Sequence, residues 1–307
     1  MDAVLHPELE RALDFYLQQR KAPPEVYEHS VGHLPSVTFF SVAKLQQLLN
    51  NPLLMPSWVT LMANGSIVPL ETAALQKIVQ NKTLMFMDKG PVDEHLKRGG
   101  ALLLEGLDIL DPDINAFVAK VDLALPCALS NCAAFLSQSG VEAYSGHCDT
   151  DDVLVIQVEG RKRWRVFAPQ QRRYVDNILD NSKLGRQLAD FTLCPGDVLY
   201  VRAGVPHRCE TVDEYSLHLS FDLVDRTPNI EQITHEANSR YNRNCAPAYS
   251  TPAGVTDRYL ALLNSERFRN DLAAATAHVK KDAMTFRERI GRACAVRALD
   301  KLARNKG

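Results

Sequence analysis

A chain of 307 residues, 46% apolar and 23% charged, can bury a sizeable core as one large domain or two small ones. Its formal net charge of −2 excludes a general electrostatic pull toward nucleic acid or an anionic membrane surface. Seven scattered cysteines without a Cys-x-x-Cys pair exclude a disulfide framework or a cysteine-built zinc site, and point to reduced thiols in the cytoplasm.

Residues 1–98 read as a mixed α/β region. The start, MDAVLHPELERALDFYLQQR, is charged and amphipathic, unlike the apolar run of a signal peptide. Leu9, Leu13, Phe15 and Tyr16 suggest a first helix. SVAKLQQLLNN has a serine cap and helical spacing, and PLETAALQKIVQN has the same look. LPSVTFFS and WVTLMANGSIVPL look extended, with a turn at NGS. No stretch approaches the roughly 20 apolar residues that span a bilayer.

Residues 99–225 read mostly as strands. GALLLEGLDI, CALSNCAAFLS, DVLVIQVEG, RKRWRVFA, DFTLCPGDVLYVRAG and EYSLHLSFDLV are short apolar or alternating runs punctuated by Gly, Pro, Asp and Asn. Many short strands with no long helix between them imply a mainly β barrel or sandwich with flanking helices. From residue 226 to 307 the pattern turns helical, with Pro247 and Pro252 punctuating its first join. His278 to Gly307 carries nine Lys or Arg against three Asp or Glu, read as a solvated helix face or an acid-binding surface.

The stretch SGHCDTDD carries the chemistry. His147 and Asp149 are two apart, and alternate residues of a strand share a face, so an imidazole and a carboxylate project together. GVPHRCE offers His207 as a third ligand. Two histidines and one carboxylate on one face of a metal form the facial triad of non-haem Fe(II) oxygenases, which leaves positions open for oxygen and a cosubstrate. Cys148 should face away from the metal. Asp151 and Asp152 either cap a turn or bind a cation, and turn chemistry is the simpler reading.

HCDTDDVLVIQVEGRKRWRVFAP, together with PGDVLYVRAGVPHRCE and YSLHLSF, resembles the JmjC (cupin-like) 2-oxoglutarate oxygenases, and most of all their ribosomal-oxygenase branch. The resemblance covers roughly residues 90–225. It implies a double-stranded β-helix (jelly roll), with Fe(II), 2-oxoglutarate as cosubstrate and O2. Carried over residue by residue, it makes His147, Asp149 and His207 the iron ligands, and Lys162 the basic partner of the far carboxylate of 2-oxoglutarate. Asn131 resembles an asparagine that the family places near the cosubstrate, although the family's nearby tyrosine is missing from SNCAAF. Tyr144 is a further cosubstrate candidate. Arg202 and Gly146 stand where the family often has proline.

Strand alternation supports Lys162 independently. In RKRWRVF, Lys162, Trp164 and Val166 share one face, and Arg161, Arg163, Arg165 and Phe167 take the other. The face with Trp and Val is the more apolar and should point inward. A buried lysine is costly unless a carboxylate partners it, and 2-oxoglutarate would supply one; the alternative is a basic ribbon with every charge in solvent. In YSLHLSF the set Leu217, Leu219 and Phe221 should pack against outer elements. Ser216, His218 and Ser220 would then line the interior, where Ser216 or His218 could bind cosubstrate or His218 could be a satisfied core histidine.

These readings point to a hydroxylase of a protein or peptide side chain. A small-molecule hydroxylase and a non-catalytic metal-binding cupin are the alternatives; demethylation of N-methyl-lysine follows the same chemistry. The 82 residues after Asp225 accommodate helices and fit poorly with the winged helix of the family. A homodimer through those helices is expected; a membrane or nucleic-acid partner is not.

Overall fold

The computed structural model describes residues 5–21, 29–63, 65–124, 130–139, 146–169, 177–178, 184–223, 235, 260–261 and 263–290. The chain divides into two units, Met1–Val118 with Ser130–Leu223, and Ala119–Leu129 with Val224–Gly307. In chain order the helices are α1 (Pro7–Arg20), α2 (Val42–Leu49), α3 (Lys89–Lys97), α4 (Leu107–Leu110), α5 (Pro112–Ala124) and α6 (Glu266–Ile290). The strands are β1 (His29–His33), β2 (Val59–Ala63), β3 (Ser66–Val68), β4 (Ala74–Val79), β5 (Lys82–Met87), β6 (Ala101–Leu104), β7 (Asn131–Gln138), β8 (His147–Cys148), β9 (Asp152–Glu159), β10 (Lys162–Phe167), β11 (Asn177–Ile178), β12 (Gln187–Leu193), β13 (Asp197–Val201), β14 (His207–Thr211) and β15 (Tyr215–Leu223).

The first unit is a jelly roll. One sheet runs β1-β13-β9-β15-β7-β6-β2-β3, the other β11-β8-β14-β10-β12. The N-terminal region therefore supplies strands at both edges of the larger sheet. Its helices follow local rules: α1 buries Leu9, Ala12 and Tyr16 at helical spacing, and Ser41 caps α2 by accepting a hydrogen bond from the Lys44 amide.

Two expectations from the sequence are corrected. PLETAALQKIVQN is not a helix but a short 3-10 turn followed by β4, which pairs with β5. Gln80 and Asn81 take φ of +47° and +63°, the left-handed pair of a tight hairpin turn, and the β-branched Ile78 and Val79 suit the strand. Likewise, the central region is not free of helix. α5 occupies DPDINAFVAKVDLA because Asp111 accepts from the amides of Asp113 and Ile114, and Pro112 sits at the first helical position, where its missing N–H costs nothing.

Strand alternation sorts the residues of the larger sheet. Leu217, Leu219 and Phe221 lie opposite Leu136, Ala134 and Cys132 of β7, and Phe117 of α5 meets Phe221 edge-on at 4.7 Å. That is the outer, helix-covered face. The inner face packs against the smaller sheet: Val153 and Val155 of β9 and Leu199 and Val201 of β13 join Trp164 and Val166 of β10 and Leu193 of β12 in one buried cluster. Each such side chain contributes roughly 1.5–3 kcal/mol by leaving water. Gly160 turns the chain from β9 in one sheet into β10 in the other with φ of +64°, and a Cβ there would stand 2.0 Å from the Tyr215 carbonyl oxygen. Only glycine fits that corner.

In the second unit the described structure is chiefly α6, which falls within the helical pattern read from residue 226 onward. Much of that region, including Pro247, Pro252 and the basic stretch beyond residue 290, lies outside the described residues. No described helix is long and apolar enough to cross a membrane.

Candidate metal and cosubstrate site

The site lies on the inner face of the jelly roll and has two ends. At the first, β8 pairs with β14 so that His147 and His207 stand directly opposite each other. Directly opposed residues share a face, and the two rings lie 4.4 Å apart between centroids. Asp149 follows two residues after His147. Its carboxylate oxygens lie 3.7 Å from His147 Nε2 and 3.5 Å from His207 Nε2. One ligand atom from each of the three residues lies within 4.8 Å of the others. Two ligands bonded at roughly 2.1 Å to one ion stand no more than about 4.2 Å apart, a limit both carboxylate–imidazole separations respect.

Hydrogen bonds to the surrounding backbone and side chains position these groups. The Asp149 carbonyl accepts the Gly204 amide at 2.8 Å. Asp152 accepts the Tyr200 hydroxyl at 2.6 Å and the Ala203 amide at 2.9 Å, tying the strand after the His-x-Asp pair to the loop that leads into His207. His207 Nδ1 lies 3.1 Å from the Val205 carbonyl. A carbonyl can only accept, so Nδ1 carries the proton and Nε2 presents its lone pair. Burial, and then the neighbouring His147, push the His207 pKa down to about 4, against the opposing pull of Asp149, so the ring is a neutral, available ligand at neutral pH.

The second end lies around Lys162, which is 1% exposed. Its ammonium donates to Ser137 Oγ at 2.9 Å and stands 3.4 Å from His218 Nδ1. Ser137 Oγ in turn lies 2.8 Å from Thr211 Oγ1. No carboxylate partners Lys162 among the described residues, and burial lowers its pKa. His218 is 3% exposed. It stacks on Phe135 at 4.9 Å, and burial followed by the charge of Lys162 lowers its pKa well below the usual imidazole value. Trp164 links the ends, its ring 5.5 Å from His207 and 5.9 Å from His218. The buried indole Nε1 has no hydrogen-bond partner among the described residues.

The structure thus brings His147, Asp149 and His207 together, and sets Lys162, Trp164 and Val166 inward with Arg163 and Arg165 turned to surface partners. Cys148 is buried between the half-buried His147 and Asp149. The other candidates divide. Ser216 is buried, but its hydroxyl accepts from Gln157 Nε2 at 2.9 Å, so of that pair His218 is the one that meets Lys162. Asn131 is exposed at the start of β7, opposite Asp222, about 20 Å along the strand from Ser137; the β7 residue that reaches Lys162 is Ser137. Tyr144 lies outside the described residues. Asp152 is not a local turn residue but the cross-strand acceptor described above, because Tyr200 and Ala203 reach it from β13 and the loop beyond. Sequence reasoning missed Ser137 and Thr211. Their only sequence signal is a small hydroxyl on a short strand, Ser137 in the mainly apolar β7 and Thr211 in the mainly polar β14.

Residues 114–233 match the JmjC domain family. Over 135 residues the chain is 36% identical to the bifunctional lysine-specific demethylase and histidyl-hydroxylase NO66 of Drosophila pseudoobscura pseudoobscura, covering 43% of this chain and 14% of that protein. It is 34% identical over 91 residues to ribosomal oxygenase 2 of Rattus norvegicus, covering 28% and 19%. The matched segment is thus less than a fifth of either curated relative. Among solved structures the chain is similar to that of YcfD from Escherichia coli, with a TM-score of 0.54 and 19% identity over 88% of this chain and 72% of that one. Another similar structure is of YcfD, a ribosomal oxygenase from Escherichia coli, in complex with cobalt and 2-oxoglutarate. At this identity the structural likeness speaks for the fold.

Proposed function

We propose that the JmjC domain at residues 114–233 makes this chain an Fe(II)- and 2-oxoglutarate-dependent hydroxylase of a protein or peptide side chain. The observation that carries the reading is the pairing of a His147–Asp149–His207 cluster within 4.8 Å with a buried lysine that no described carboxylate neutralises. The donor set of two imidazole nitrogens and one carboxylate suits a non-haem iron. The ammonium without a counter-charge and the Trp164 N–H without a partner, both among the described residues, suit a polar ligand lying between the two ends.

Iron bound there with 2-oxoglutarate and O2 would supply the oxidising power, converting 2-oxoglutarate to succinate and CO2 while one oxygen atom enters a substrate C–H bond. The chain's residues do the rest. His147, Asp149 and His207 would hold the metal on one face and leave the other for ligands. Lys162 would pair with the far carboxylate. Trp164, packed with Val155 in a buried cluster, and Phe135, stacked on His218, would offer apolar surface that orients the cosubstrate. A side-chain substrate is favoured over a small molecule because the relatives' names specify histidyl hydroxylation and ribosomal oxygenation. The same names include lysine demethylation. Association as a homodimer through the helices after residue 225, in the cytoplasm, belongs to the same reading.

The test is succinate release from 2-oxoglutarate with Fe(II) and ascorbate, with cell extract split into protein and small-molecule fractions. Stimulation by the protein fraction, with one oxygen atom gained by a peptide in it, is the expected result. Stimulation by small molecules alone would overturn the substrate class. Absence of even uncoupled succinate would overturn the enzyme.

A further inference from the structure

We propose that His218 is the second holder of the far carboxylate of 2-oxoglutarate, and that its Nδ1 changes from hydrogen-bond acceptor to hydrogen-bond donor when the carboxylate enters. The inference rests on the function proposed above and assigns a proton position within that site.

Lys162 Nζ and His218 Nδ1 face each other at 3.4 Å, both buried. An ammonium has donors only, so the imidazole nitrogen facing it must accept, and its proton sits on Nε2. A protonated ring is excluded there: two cations in contact, away from water, would repel strongly. Burial and the lysine charge accordingly keep the ring neutral. Among the described residues, Gln157 of β9 lies opposite His218 in the sheet. Phe135 of β7 covers one ring face, Trp164 of β10 meets its edge, Lys162 is the charge acting on it, and Cys209 of β14 acts on Lys162. None of these is a carboxylate.

A carboxylate arriving at Lys162 presents lone pairs and no donor. A bare Nδ1 beside it would set lone pair against lone pair in a dry pocket, where an unpaired buried polar atom costs about 1–3 kcal/mol. A proton on Nδ1 replaces that repulsion with a charge-assisted hydrogen bond. The carboxylate would then be gripped by Lys162 and His218 together, each giving an N–H. Ser137 and Thr211 remain as a hydroxyl pair behind the lysine. A ligand without a far carboxylate gives the imidazole no reason to switch.

The experiment follows the histidine side-chain nitrogens by 15N NMR in the full chain loaded with diamagnetic Zn(II). It compares 2-oxoglutarate with 2-oxopentanoate, which keeps the 2-oxo acid head and carries a methyl in place of the far carboxylate. The expected result is that 2-oxoglutarate moves His218 Nδ1 from the bare-nitrogen to the N–H region while 2-oxopentanoate leaves it bare. In parallel, His218→Leu should weaken 2-oxoglutarate binding about tenfold, the loss of one charge-assisted hydrogen bond, and leave 2-oxopentanoate unchanged. Binding of 2-oxoglutarate with Nδ1 still bare would overturn the proposal, as would equal weakening of both ligands. If the variant does not fold, the wild-type spectra decide. Failure of the metal-loaded wild type to bind 2-oxoglutarate at all would sink the proposed function and this inference with it. Binding without the switch would sink only the inference.

Discussion

The two ends of the inner face are built on opposite principles. At the candidate metal end the three ligand groups converge, with the Gly204 amide on Asp149, the Val205 carbonyl on His207, and Asp152 bridging to Tyr200 and Ala203. One carboxylate lies there between two imidazoles, of which burial holds His207 neutral. At the other end a cation is buried with hydroxyls and an imidazole but without a counter-charge among the described residues. This end holds a lysine in an environment that disfavours its charge, and a dicarboxylate would relieve it. On the proposed function, one end would recognise its ligand by geometry and the other by an electrostatic deficit.

The sharpest way to break this contrast is to remove the single carboxylate of the metal end. Asp149→Ala leaves two imidazoles facing each other without an anionic ligand. Metal-dependent succinate formation should fall to background, and a metal titration should show weakened binding. Retained turnover would remove the facial triad from the account. At the other end, Lys162→Ala deletes the ammonium and with it a hydrogen bond to a charged partner, about 1.5–3 kcal/mol. The concentration of 2-oxoglutarate needed for half-maximal rate should rise about 10- to 100-fold, with metal affinity unchanged. A parallel fall in metal affinity would mean the two ends are not separable.

The contrast also explains what the sequence could and could not disclose. Two of the three candidate ligands are encoded locally, since His147 and Asp149 are two apart, while His207 joins them through the pairing of β14 with β8. Lys162 was legible for the same reason, since its neighbours Trp164 and Val166 mark the inward face of β10. Its surroundings were not. Ser137 and Thr211 meet across 74 residues of chain, and their contact depends on strand register in two different sheets. Asn131 carries a suggestive side chain at the wrong end of β7. The N-terminal strands were equally hidden. β1 pairs with β13, some 165 residues away, and nothing in HSVGH announces its partner. Asp152 looked like turn chemistry because it sits in a run of polar residues, whereas its partners come from a strand about 50 residues on. Local propensity also misled for PLETAALQKIVQN, where a two-residue left-handed turn at Gln80 and Asn81 outweighs helical spacing.

A milder change probes the hydroxyl pair. Ser137→Ala removes the acceptor of one Lys162 hydrogen bond and the partner of Thr211 Oγ1. The loss of a buried hydrogen bond costs about 1 kcal/mol, so the 2-oxoglutarate requirement should rise about fivefold, less than for Lys162→Ala. Combining the two substitutions separates direct contact from support. If Ser137 acts only by aiming Lys162, the double variant should match Lys162→Ala alone.

The smallest expected effect comes from the residue next to Lys162. Arg163 carries the same sign one position along the strand, yet alternation turns it outward, where it pairs with Asp190 at 2.7 Å while 42% of its side chain stays exposed. Exposed ion pairs contribute about 0–1 kcal/mol. Arg163→Ala should therefore lower the thermal midpoint slightly and leave the 2-oxoglutarate requirement where it was. That near-silence is informative because the two substitutions remove equal charge from adjacent positions. If net positive charge in the neighbourhood were what draws the cosubstrate, both variants would suffer alike. If a buried, uncompensated ammonium is what matters, only Lys162→Ala will.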